Sequence, residues 1–335
     1  MTETARAIVL DRPVLAFPTV ADFTIVDHPL VPPEGDGWLK VRPLYLSLDP
    51  YIGARLRGRH MGEPAPVPGE ALPGFCVADV EETRDPAFAA GDRVVVEAGW
   101  ADLAWVRSNT ARQVSSDLAP SLHLGVLGMP GLTAWAGMTQ LAKTGPDDVL
   151  TVNAAAGTVG GVAGQIARNL GGRAIGIAGG PEKCALVVEQ YGFDACSDYR
   201  RDDWETKLTK AVGGGSTIHF ENVGTGQLAV GLRLLNLYGR VVLCGLADHY
   251  LADPAAGPAM TAIGPIIGKR ASVFGLVVYD FYPRWAEWTT LAEPWVRSGR
   301  LTIAEDIGDG LDAAPRQIER LMRGENIGKT LVRIA

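Results

Sequence analysis

The chain has 335 residues, 47% hydrophobic and 21% charged, which suits one large or two moderate globular domains with substantial cores. Its 31 basic and 38 acidic residues leave a net charge of −7, which argues against a nucleic-acid surface, since that needs a basic face. Cys76, Cys184, Cys196 and Cys244 stand apart with no CxxC pair, so they read as small buried hydrophobes rather than as a disulfide framework or metal site.

The opening "MTETARAIVLDRP" has no apolar run and no small-residue cleavage site, so it is not a secretory signal and the expectation is a cytoplasmic protein. Over about residues 1–120, extended runs alternate with Pro/Gly turns: "GWLKVRPLYLSL", "GEALPGFCVADVEET" and "GDRVVVEAGWADLAWV". This spacing predicts a β-rich, partly closed sheet or barrel. Residues 118–142 carry no Asp, Glu, Lys or Arg, a length that suits a membrane span. Gly125, Gly128, Pro130 and Gly131 interrupt the run, so "MPG" reads as a turn between two short helices in a buried domain junction.

Beyond residue 145 strands alternate with helices, the pattern of βαβ units on a parallel sheet. The strands are "DDVLTVN", "RAIGIAG", "ACSDYR", "TIHFENV", "GRVVLCGLA" and "RASVFGLVV". The helices between and after them are "TVGGVAGQIARNLG", "PEKCALVVEQYG", "DDWETKLTKAV", "GQLAVGLRLLNLYG" and "PRWAEWTTLAEPWVRSG". "TIAEDIGDG", "APRQIERLMRG" and "KTLVRIA" close the chain as strand, helix and strand.

The first βα turn, Ala155-Ala156-Gly157-Thr158-Val159-Gly160, fits the dinucleotide pattern G-x-G-x-x-G with Ala in the first place. Gly157 would let the backbone approach a pyrophosphate, and Gly160 would let the helix pack on its strand; the helix N-terminus offers N–H groups and a partial positive charge. Taken alone, the same stretch also serves close packing and nothing more. The next strand ends in Ala178-Gly179-Gly180 without the carboxylate that an NAD site places on the ribose. Lys183 follows in the first helical turn, and Tyr199, Arg200 and Arg201 end the neighbouring strand. A cation plus a hydroxyl at that edge suits the 2′-phosphate of NADP; Glu182 lies inside the helix rather than at the strand tip.

The strings "LSLDPYIGAR", "GVLGMPGLTAW", "AAAGTVGGVAGQIA", "GIAGGPEKC", "GFDACSDY", "ENVG", "CGLADHY" and "GENIGKTLV" resemble, in order, the zinc-independent medium-chain dehydrogenase/reductases of the prostaglandin reductase and alkenal double-bond reductase branch. The resemblance runs from about residue 40 to the end. It implies an α/β fold: a Rossmann doubly wound parallel sheet plus a GroES-like β-barrel substrate domain. The expected division is residues 1–125 for the barrel, 126–300 for the NADP-binding domain, and 301–335 returning to the barrel. It implies NADP(H) on Gly157, Thr158, Val159, Gly160, Gly180, Lys183 and Tyr199, with Asn222, Cys244, Gly245, Leu276, Val277, Val278 and Asn326 lining the rest. A homodimer through the Rossmann domains, along "RASVFGLVV", is the family's assembly. Trp100 stands at the position of a substrate-contacting aromatic, with Tyr51 and Tyr279 as further walls. The chain departs from the family's usual residues at His249, Trp135 and Ile52-Gly53, which bears on substrate profile rather than on cofactor.

The chemistry follows from what is present and absent. "LPGFCVADV" replaces the Gly-His-Glu zinc segment, the five histidines form no ligand pair, and no GxSxG elbow occurs. The expected reaction is hydride delivery to the β-carbon of an enal or enone, with charge building on the carbonyl oxygen. Tyr250, in the loop after "VVLCGLA", is the expected donor to that oxygen, or else a ligand of the cofactor ribose. A zinc-free quinone reductase and an NADPH-binding structural protein are the alternatives. No nucleic acid or membrane partner is expected.

Overall fold

The computed structural model describes residues 3–250 and 263–335, with the side chains of Thr225, His249 and Tyr250 outside the description. Contacts divide the chain into two compact units, Met1–Leu124 with Glu305–Ala335, and Gly125–Ala304.

In the first unit β1 (Thr4–Leu10) and β2 (Phe23–Pro29) form an antiparallel pair. Then come β3 (Trp38–Leu48), α1 (Pro50–Arg55), β4 (Phe75–Thr83), β5 (Arg93–Glu97), β6 (Ala104–Arg107) and β7 (Arg112–Gln113). In the second unit the chain runs through α2 (Met129–Trp135), β8 (Val149–Asn153), α3 (Thr158–Asn169), β9 (Arg173–Ala178), α4 (Pro181–Glu189), β10 (Ala195–Asp198) and α5 (Trp204–Val212). It continues with β11 (Ser216–Glu221), α6 (Thr225–Leu234), β12 (Leu235–Leu243), α7 (Ala247–Tyr250), α8 (Gly264–Lys269), β13 (Ser272–Gly275) and α9 (Trp285–Arg297). The chain then returns to the first unit with β14 (Glu305–Asp309), α10 (Ala314–Met322) and β15 (Lys329–Arg333).

The second unit's described strands form a parallel sheet in the order β10-β9-β8-β11-β12-β13. Numbered from β8, that order is third-second-first-fourth-fifth-sixth, the doubly wound arrangement whose ligands bind at the carboxyl ends of the strands. Near-continuous apolar runs make these strands: Ile175 and Ile177 pack with Leu208, Val212 and Val230 on one face. In the first unit the order β14-β15-β3-β4-β5-β7, with β6 also on β3, makes a largely antiparallel sheet. Alternation sends Leu39, Val41, Ala78, Val80, Val94, Val96 and Val106 to one core, and Val77, Val95 and Leu331 to another.

Two elements differ from the sequence expectation. "MPG" is no turn: Met129-Pro130-Gly131 begins α2, with Pro130 in the first turn, where its missing N–H costs nothing. A Cβ on Gly131 would lie 1.7 Å from the Val126 carbonyl oxygen, which also accepts the Trp288 indole N–H at 3.0 Å. The helix expected over "GQLAVGLRLLNLYG" stops at Leu234, and Leu235–Leu243 is strand. Tyr238 sits in the left-handed region at φ 61°, and the β11–β12 register shifts between Ser216 and Ile218. Leucines run across the boundary on both sides of Arg233 and Asn236, so no clean change of period marks it. Among the described residues, no helix is long and apolar enough to cross a membrane.

Candidate active site

The turn after β8 separates the two roles of its glycines. A Cβ on Gly160 would lie 2.5 Å from the Ala154 oxygen and 2.9 Å from that of Asn153, so Gly160 is the close-packing position. Gly157 is roomier, its nearest obstacle 3.2 Å away, and it caps α3 in extended conformation with no side chain on the helix end. The Thr158 and Val159 amides open the helix there, where an anion finds both N–H donors and the positive end of the dipole.

At the ends of β9 and β10 the backbone is tied to an acid that the sequence reading passed over. Asp198 Oδ1 accepts the Gly180 N–H at 2.7 Å and the Arg200 N–H at 3.1 Å. That bond holds Gly180 at φ 98°, a conformation glycine adopts without strain, and starts α4. A Cβ on Gly179 would lie 2.8 Å from the Tyr199 hydroxyl, so the missing side chain makes room for the ring. Lys183 is half-buried in the first turn of α4, Tyr199 and Arg200 are exposed, and Arg201 pairs with Asp203 at 3.1 Å. Here the expectation of mutually isolated cysteines fails: Cys184 on α4 and Cys196 on β10 bring their Sγ atoms to 3.2 Å. Helix α4 folds back on its own βαβ unit, so residues twelve apart in sequence become neighbours.

Beneath the next strand ends lies a polar network, buried except at Asn222. Thr151 Oγ1 lies 2.9 Å from His219 Nδ1, and His219 Nε2 lies 2.9 Å from Glu221 Oε2. Glu221 Oε1 accepts from Asn153 Nδ2 (2.5 Å) and from the backbone N–H groups of Val223 (2.6 Å) and Gly224 (2.8 Å). Asn153 Oδ1 accepts the Asn222 N–H at 2.6 Å, and Asn222 Nδ2 donates to the Asn153 oxygen at 3.0 Å. Burial pushes the Glu221 carboxyl up, but the His219 ring, the Asn153 amide and the backbone donor outweigh it and hold it below the usual carboxylate range. The network fixes the "ENVG" loop. Its sequence signal was polar side chains (Thr151, Asn153, His219, Glu221) inside otherwise apolar strands.

Further links draw the expected cofactor residues along one sheet edge. Cys244 and Gly245 donate to the Glu221 oxygen (2.9 and 3.1 Å), and Leu276 donates to the Leu243 oxygen at 2.9 Å. Burial pushes the Cys244 thiol up to about 12. Ala247 and Asp248 donate back to the Asn222 and Val223 oxygens, anchoring α7, at whose end Tyr250 lies; the Tyr250 side chain is outside the described residues. Leu276 is buried, Val277 and Val278 are half-buried, and Tyr279 is exposed with its ring 5.4 Å from Tyr282.

In the first unit Trp100 corrects the expectation of a substrate wall. It is 1% exposed, its indole N–H donates to the Pro73 oxygen at 2.9 Å, and its ring stacks on Phe23 at 5.4 Å, so no face remains for a ligand. Tyr51 is half-buried on α1, 5.0 Å from the His60 ring. The neighbouring Gly53 lies against the end of the Met322 side chain of α10, which would have to move aside for a Cβ there. Asn326 Nδ2 donates to the Gly328 oxygen at 2.9 Å. Lys329 donates to Asp49 Oδ1 at 2.7 Å and to the Leu48 oxygen at 3.0 Å, tying the strand after Asn326 to the start of the Tyr51 helix. Among the described residues, no group of three His, Cys, Asp or Glu side chains is placed to hold a metal.

Comparison with known proteins fits this geometry. Residues 6–114 match the family described as the N-terminal domain of oxidoreductase, and residues 158–297 match zinc-binding dehydrogenase. The chain is 33% identical to a tobacco NADP(+)-dependent 2-alkenal reductase over 98% of this chain and 97% of the relative. It is 34% identical to the NADPH-dependent curcumin reductase of Escherichia coli K12, over 98% and 96%. The crystal structure of CurA from Vibrio vulnificus in complex with NADPH superposes with a TM-score of 0.89 at 32% identity, covering 98% of this chain and 99% of that one. The chain therefore belongs to the zinc-independent medium-chain dehydrogenase/reductases, in the family of the alkenal and prostaglandin reductases.

Proposed function

We propose that the protein is an NADPH-dependent reductase of the carbon–carbon double bond of α,β-unsaturated aldehydes and ketones. The observation that carries the choice of cofactor is the strand-end acid: Asp198 is engaged by backbone N–H groups, and Lys183 and Tyr199 stand at the edge where a 2′-phosphate would lie. The open α3 terminus at Gly157 and the Tyr199 ring, seated against Gly179 at the strand end, fit the nucleotide. NADPH, when bound, supplies a hydride for the substrate β-carbon. In this reading Thr158 and Val159 hold the pyrophosphate, Lys183 and Tyr199 the 2′-phosphate, and the Asn222 and Leu276–Val278 stretches the nicotinamide end. Tyr250 donates its hydroxyl proton toward the carbonyl oxygen as the enolate forms, or binds the ribose, and water protonates the α-carbon. Tyr51 and Tyr279 remain the substrate-side aromatics.

The test is a panel of short alkenals, enones and quinones with NADPH and with NADH, followed by NADPH absorbance. Turnover of enals with NADPH supports the reading; quinones reduced in preference to every enal, or binding without turnover, refutes it. We further propose a cytoplasmic homodimer joined along β13. That strand ends the sheet order, and Val273 on it (39% exposed) and Ile267 on the preceding α8 (73%) leave apolar surface to cover. A monomeric mass at micromolar concentration overturns the dimer.

A further inference from the structure

The Cys184–Cys196 pair bridges the two elements that form the adenosine edge. Cys184 follows Lys183 on α4, and Cys196 lies on β10 two residues before Asp198, whose carboxylate anchors Gly180 at the start of the same helix. Both thiols are half-buried, and their sulfurs are 3.2 Å apart. A disulfide needs about 2.0 Å between sulfurs, so closure asks for a movement of roughly 1 Å. We propose that Cys184 and Cys196 are an oxidisable dithiol, closed by hydroperoxides, whose disulfide weakens NADPH binding by drawing the first turn of α4 toward β10 and shifting Lys183 out of place at the 2′-phosphate edge. The proposal rests on the assignment of Lys183 and Tyr199 to the 2′-phosphate.

The roles of the two sulfurs differ. The hydrogen bond from Cys196 favours the thiolate of Cys184, which is held below the usual thiol range, whereas the bond to Cys184 and then burial push Cys196 up. Cys184 is the attacking sulfur. Its thiolate takes the outer oxygen of ROOH, the O–O bond breaks, and the alkoxide leaves as ROH after protonation, giving Cys184–SOH. The Cys196 sulfur then attacks that of Cys184, the S–O bond breaks, and hydroxide leaves with the Cys196 proton as water. Two thiols are oxidised by two electrons and one peroxide is reduced; a small dithiol reverses the bridge.

The experiment treats the full-length enzyme with hydrogen peroxide at graded concentration. Expected results are a two-hydrogen mass loss mapped to a Cys184–Cys196 peptide, an NADPH KM raised about tenfold, the loss a displaced charged contact gives, kcat and the NADH KM little changed, and full recovery in dithiothreitol. Cys184→Ser and Cys196→Ser should have wild-type kinetics before peroxide and keep them afterwards. A wild-type protein that forms no such bridge overturns the proposal, as does a bridge that leaves the NADPH KM unmoved or a KM rise that Cys184→Ser shares. Lys183→Ala in reduced protein is the separate check: an unchanged NADPH KM there overturns the edge assignment, whatever the mass of the oxidised wild type.

Discussion

Replacing Glu221 by alanine removes the acceptor of four groups at once: the Asn153 amide, the His219 ring and the Val223 and Gly224 N–H groups. All surround a side chain with no solvent exposure. Each orphaned buried donor costs about 1–3 kcal/mol, and loss of one partner from a buried pair costs about 3–5 kcal/mol. Water entering the vacated volume keeps the total near the second figure, a large share of the roughly 5–15 kcal/mol that folds a domain. At about 2–4 °C per kcal/mol, thermal unfolding followed by circular dichroism should shift down by roughly 6–20 °C. Glu221→Gln keeps an oxygen for the backbone donors and should lose less than half as much. The pH dependence has a fixed sign. The folded carboxyl lies below its ordinary value, so its contribution is complete above the unfolded carboxylate range and fades as pH falls through the folded value. The gap between wild type and Glu221→Ala should therefore narrow in acid. A melting point within about 2 °C of wild type at neutral pH, or a gap that widens in acid, refutes this account of the network.

Lys183→Ala should raise the NADPH KM about ten- to a hundredfold and spare NADH; equal losses for both cofactors contradict the 2′-phosphate assignment. Tyr250→Phe should lower turnover at saturating NADPH by about a hundred- to a thousandfold if the hydroxyl serves the carbonyl oxygen. Single-turnover hydride transfer within about threefold of wild type would remove Tyr250 from the reaction. Gly131→Ala drives a Cβ into the Val126 carbonyl oxygen, so helix α2 must shift off the Trp288 contact. It should yield little soluble protein or melt well below wild type, and a wild-type melting curve would contradict the packing described.

Much of the parallel half was legible because strands such as β8 and β9 are largely apolar, and helices such as α3 and α4 begin or end on a recognisable residue, Gly171 or Pro181. The β1–β2 pair went unread: most of Phe23–Pro29 is exposed, which leaves no alternation to detect. Candidate site residues at strand ends were legible from the glycines beside them. Asp198 and the His219–Glu221 pair were not, because their role comes from tertiary neighbours: the Gly180 amide lies one βα crossover away, and Asn153 belongs to a different strand. Trp100 misled for the same reason. An aromatic after a glycine reads alike whether it faces a ligand or, as here, Phe23 and the Pro73 carbonyl.

The pairing of β15 with β3 also sets an order of events during synthesis. Tyr45 to Leu48 find their partners in residues 330–333, and the buried Lys329–Asp49 bond closes a loop of 280 residues. A nascent chain exposes that edge of β3, and an Asp49 without its cation, for the whole time a ribosome takes to make the second unit. The Gly125–Ala304 unit needs no residue outside itself for its sheet, so it is free to fold first. The sheet of the first unit, with its long-range closure, comes last and more slowly. In the interval its open edge is the place where chaperones or a second nascent chain would be met.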